Sequence, residues 1–182
     1  MKYLLYSLFL VSYFACNSEG NQTSANGQQE KSTLTTPATV DCKYGQPVAI
    51  FSEELPQITK QSFELIGQKG IETVTFTDGN ILELYQSGCN EVRQEYRFFL
   101  TGNYKEKADS FWFEQAIARL TFVGQLDDRY AVIGMWVGAI EQLIDKMTIG
   151  QFTEAEPDTF IMVDKIEEEE SAIIIIVLER RI

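Results

Sequence analysis

The chain has 182 residues, 27 acidic and 15 basic side chains, a formal net charge of −12 and no histidine. That charge argues against nucleic-acid binding, which needs a basic footprint. The missing histidine removes the commonest general base and the commonest zinc ligand, so a serine or cysteine nucleophile paired with histidine is excluded.

The N-terminus reads Met1-Lys2, then twelve mostly apolar residues from Tyr3 to Phe14, then Ala15 and Cys16. A helix that crosses a bilayer needs about 20 residues, so this run is too short to span. It fits instead the charged and apolar regions of an export signal. Tyr13 sits three residues before a cut after Ala15, where ordinary secretory cleavage wants a small residue. With Ala15 directly before Cys16, residues 1–16 resemble a bacterial lipoprotein signal peptide. The resemblance implies loss of residues 1–15, acylation of Cys16 and anchorage in the bilayer of the cell envelope, at the outer membrane on its periplasmic or surface face. It implies no activity. An ordinary exported protein and an uncleaved anchor are the alternatives.

Residues 17–40 contain no aromatic residue and are dominated by Asn, Gln, Ser, Thr and Gly. They cannot bury enough apolar surface to offset chain entropy, so residues 16–40 are expected to be a flexible tether starting at the lipidated Cys16. As a coil it would span roughly 25 to 30 Å. From Asp41 the composition turns aromatic and aliphatic, and residues 41–182 are the size of a single domain. Once Cys16 is assigned to lipid, Cys42 and Cys89 remain as the one intrachain pair, expected to form a disulfide in an oxidising compartment. Two free buried thiols are the alternative.

Within the domain, Val48–Phe51 is a short strand candidate, with another at Phe63–Ile66. Turn chemistry at Gly67 to Gly70 precedes Ile71–Thr77, where Val74 and Phe76 share a face, and Asp78-Gly79 signals a tight hairpin into Ile81–Gln86. Val92–Leu100 alternates, with Val92, Tyr96, Phe98 and Leu100 on one side and Arg93, Glu95 and Arg97 on the other. That is the pattern of a half-buried antiparallel strand.

After a loop at Thr101–Ala108 the period becomes helical. Phe113, Ala116, Ile117, Leu120 and Val123 share one face, and Asp109 or Ser110 is the expected cap. A second helix starts near Asp127 or Asp128 and carries Ile133, Trp136, Val137, Ile140, Leu143 and Ile144 inward, ending before Gly150. Strands Thr159–Ile166 and Ala172–Glu179 close the chain as a hairpin around the acidic turn Glu167–Glu170. The aliphatic run Ile173–Leu178 predicts a strand covered on both faces, placed centrally beneath the helices or covered by a second copy. The expected fold is α+β: a mainly antiparallel sheet with two consecutive helices packed on it and a C-terminal β-hairpin.

Chemistry-bearing motifs are few. Cys42 and Cys89 lie outside CxxC spacing, there is no glycine-rich phosphate loop, and Glu167–Glu170 lacks the ligand spacing of a calcium loop. No cofactor, metal or catalytic residue is expected. Glu83, Glu95 or Glu114 could serve a carboxylate pair acting on glycans, but nothing singles them out and solvent faces explain them without function. Phe111-Trp112-Phe113 places aromatics on more than one side of the first helix, which makes Phe111 and Trp112 candidate partner-binding residues. The functional expectation is a membrane-anchored, non-enzymatic envelope module whose partners are the bilayer, through Cys16, and an envelope protein. An inhibitor or immunity protein for a cationic cell-wall enzyme is its sharper form. A glycan-acting enzyme and a structural subunit of an envelope assembly are the alternatives.

Overall fold

The computed structural model describes residues 44–88 and 92–181. The signal-like segment, Cys16, the tether, Cys42 and Cys89 lie outside the described residues. The strands are β1 (Ile58–Ile66), β2 (Lys69–Phe76), β3 (Ile81–Ser87), β4 (Val92–Thr101), β5 (Thr153–Glu156), β6 (Thr159–Glu167) and β7 (Ser171–Arg180). Helices α1 (Asp109–Gly124) and α2 (Ala131–Leu143) stand between β4 and β5 in the chain. All seven strands join one antiparallel sheet in the order β1-β2-β3-β4-β7-β6-β5. This is the expected α+β architecture, with β6 and β7 as the closing hairpin.

Chain order alone would set β5 beside β4, yet β7 takes that place. The reason is burial: Ile174, Ile175, Ile176, Val177 and Leu178 are all buried. Each fully buried side chain of this kind contributes about 1.5–3 kcal/mol, which only an interior strand can collect on both faces. Four-residue β5, exposed at Glu154 and Glu156, is left at the edge, where a short charged strand resists pairing with other chains.

The inner face of the sheet carries the core. It presents Val74 and Phe76 from β2, Leu82 and Leu84 from β3, Tyr96, Phe98 and Leu100 from β4, Ile161 and Val163 from β6, and Ile174, Ile176 and Leu178 from β7. Against them α1 places Trp112, Phe113, Ala116, Leu120 and Val123, the stripe its spacing predicts plus Trp112. Helix α2 packs on α1 and buries Ile133 and Ile140. Trp136, Val137, Leu143 and Ile144 lie partly buried against the core, while Val132 and Met135 face outward. The Asp78-Gly79 turn forms as expected. Gly79 adopts φ +84°, its N–H donates to Phe76 O, and Asn80 O accepts from Phe76 N–H at 2.9 Å.

Three local expectations fail for identifiable reasons. Residues 48–51 form no strand, because the Ile50 and Phe51 N–H groups donate to the Glu72 carboxylate at 2.8 and 2.9 Å, in place of a ladder. Phe63–Ile66 is only the end of a nine-residue strand that begins at Ile58. Neither Asp109 nor Ser110 caps α1. Its N-cap is Ala108, with no side-chain hydrogen bond, and Asp109 falls in the first turn, where its charge complements the helix dipole. The second helical segment opens with a tight turn, Asp128–Tyr130. There Asp127 is the N-cap and accepts from Arg129 N–H at 3.0 Å.

Candidate functional site

The two faces of the sheet differ in what covers them. Residues 44–57 and the helices lie on the inner face, where Pro47 approaches so closely that a Cβ on Gly70 would stand 2.8 Å from it and from the Phe63 ring. Among the described residues, no helix lies over the outer face. The register lays that face out in rows across the strands. One row runs Lys69, Ser87, Arg93, Glu179 and Phe160. The next runs Ile71, Tyr85, Glu95, Val177 and Met162, and a third runs Thr73, Glu83, Arg97, Ile175 and Asp164.

Along β4 and β7 these residues form a connected charge network. Arg97 Nε and Nη2 reach Glu95 Oε1 at 2.7 and 2.6 Å. Glu95 Oε2 accepts from Arg93 Nη2 at 3.0 Å, and Arg93 Nη1 donates to Glu179 Oε2 at 3.0 Å. Arg181 Nε completes the chain to Glu179 Oε1 at 2.5 Å. Burial works against ionisation of Glu95, but the hydrogen bonds and charges of Arg93 and Arg97 prevail and hold its carboxyl below the ordinary range. Arg97 also lies over the Tyr85 ring, 4.3 Å from its centre. Tyr85 is pushed up by burial and by donating its hydroxyl to Glu83 Oε2 at 2.9 Å. At the far end Arg181 covers Phe160 at 4.2 Å and Phe152 at 5.0 Å.

Between β2, β3 and β4 this face opens into a cleft of about 510 Å³, walled by Ile66, Ile71 and Tyr85 and lined by Lys69, Arg93, Arg97 and Glu95. The volume suits a small ligand or a side chain of a partner. Ile175 and Val177 beside it are buried at 8% and 0% exposure.

Of the sequence-predicted residues, Trp112 is fully buried, edge-on to Phe111 and near Tyr104, with Lys165 Nζ 5.0 Å from its ring centre. It offers no surface to a partner. Phe111 is half-buried and packs against the core. Glu83 and Glu95 share the outer face, whereas Glu114 stands exposed on α1. Glu168 and Ser171 close the acidic turn, the Ser171 hydroxyl donating to Glu168 Oε2 at 2.7 Å. Among the described residues no cluster of three or more acidic or cysteine side chains could hold a metal ion, and no helix is long and apolar enough to cross a membrane.

Two residues of consequence escape a sequence reading. Glu72 is wholly buried. Besides the two backbone donors it accepts from Gln61 Nε2 at 2.7 Å. Its parity with Val74 and Phe76 placed it on the inner face, and that was the available signal. Tyr85 carried no signal, since its pairing with Arg97 joins two strands. The chain matches no known family model, no curated protein and no solved structure.

Proposed function

We propose that this protein is a lipid-anchored binding module of the bacterial envelope, held by acylated Cys16 and engaging an envelope partner through the outer face of its sheet. The observation that carries the reading is a sheet face that neither described helix covers, with an open cleft and an ordered Arg-Glu network. Arginine and tyrosine are the side chains most often found at energetic centres of interfaces, and here Tyr85, Arg93 and Arg97 stand together. Glu95, the carboxylate lining the cleft, is kept ionised by two guanidinium groups, which suits positioning rather than proton donation to a substrate. A binding role therefore fits the site better than acid catalysis.

The test is affinity capture from native envelope with the tagged full chain. The proposal expects a partner retained by the wild type and by Glu114→Gln on the exposed side of α1, and lost with Arg97→Glu. Equal capture by all three proteins would sink it.

A further inference from the structure

We propose that the cleft takes a carboxylate-bearing ligand, the carboxylate seated on Arg97 and Lys69 and the ligand's apolar part lying against Ile66 and Ile71. The inference rests on the reading of the outer face as the binding surface and names its ligand class. In a chain of net charge −12, three cationic side chains line this cleft against the single carboxylate of Glu95. That carboxylate is spent within the protein, because its two oxygens each hold an arginine. Glu83, the neighbour of Arg97 in register, accepts the Tyr85 hydroxyl.

Arg97 uses Nε and Nη2 on Glu95, which leaves Nη1 without a protein acceptor among the described residues. Lys69 is exposed, and its ammonium has no ion pair among the described residues. Glu95 and the Tyr85 ring hold the Arg97 guanidinium in place before any ligand arrives, so little side-chain freedom is lost on binding. A planar fork with an open edge matches a planar carboxylate, and the Lys69 point charge lining the same cleft adds to it. Ile66 is 54% exposed, an apolar flank that a purely inorganic anion would leave unused.

Two sources of the same chemistry are separated by titrating the full chain with N-acetyl-leucine and with glucuronate, followed by nitrogen–proton NMR. Each acid is paired with its neutral amide. The proposal expects the amide signals of Lys69, Tyr85 and Arg97 to move with at least one acid, and binding to fall about tenfold for the neutral amide. A response to N-acetyl-leucine alone assigns a peptide-type carboxylate, and one to glucuronate alone a sugar acid. Arg97→Gln and the exposed substitution Lys69→Gln, which leaves the core untouched, are each expected to weaken binding, while Glu114→Gln leaves it unchanged. No response to either acid, equal binding of acid and amide, or indifference to both cleft substitutions would overturn the proposal. Face-dependent envelope capture alongside a negative titration removes the carboxylate and leaves the binding-module reading standing.

Discussion

At the scale of single residues, the two carboxylates that matter most are Glu72 and Glu95, one on each face of the sheet. Glu72 secures the segment before β1 by accepting from the Ile50 and Phe51 N–H groups and from Gln61 Nε2. Replacing it with leucine would leave buried donors without partners, at a cost of about 1–3 kcal/mol each. Glu72→Leu is therefore expected to lower unfolding free energy by about 3 kcal/mol and to speed hydrogen exchange at Ile50 and Phe51, both measurable in one denaturant series. Glu95 has a folded pKa held below its unfolded value. Its ionised form thus stabilises the fold above the unfolded value of about 4.3, and that contribution disappears as pH falls through the folded value. Glu95→Gln should destabilise the protein by about 1–3 kcal/mol at neutral pH. It should also flatten the loss of stability on acidification, as read from urea midpoints across the acid range. An unchanged acid slope would contradict this account.

At the scale of elements, strand alternation and helical periodicity were legible because each reports a face that meets the core. Val92–Thr101 shows this best, its Tyr96, Phe98 and Leu100 buried and Arg93, Glu95 and Arg97 turned outward. Residues 48–51 misled because an apolar stretch docked through a distant carboxylate has the same composition as a strand. Short β5 carried no signal, since the sequence TEAE meets neither template. The same docked segment bears on the cysteines. A Cβ on Gly88 would stand 3.1 Å from Gly45 O, an approach of the neighbouring chain that supports the disulfide we propose between Cys42 and Cys89. If exported as proposed, the protein is expected to resist thiol labelling until reduced. Cys42→Ser should lower unfolding free energy by about 4 kcal/mol through the loop it opens. Free thiols in freshly isolated, unreduced protein would refute the pairing.

At the scale of the whole molecule, the tether and the acylated Cys16 we propose would hold the domain at the bilayer, and firm anchorage needs more than one acyl chain. Cys16→Ala is expected to move the protein from the membrane fraction to the soluble or periplasmic fraction, with loss of acyl labelling; a wild-type chain that takes no acyl label would remove the anchor from the proposal. What the amino-acid order determined by itself was whatever depends on local pattern: the excluded chemistries that need histidine, the period of most strands, the helical pair and the burial of the run Ile173–Leu178, all of it buried but the half-exposed Ile173. Tertiary structure alone decided which elements became neighbours. It set β7 between β4 and β6, turned Glu72 into an internal clamp, buried Trp112 and gathered Lys69, Tyr85, Arg93 and Arg97 around one cleft. The physical reason is that a strand's two-residue period assigns each side chain to a face, while the partner across the ladder is chosen by burial summed over the whole sheet.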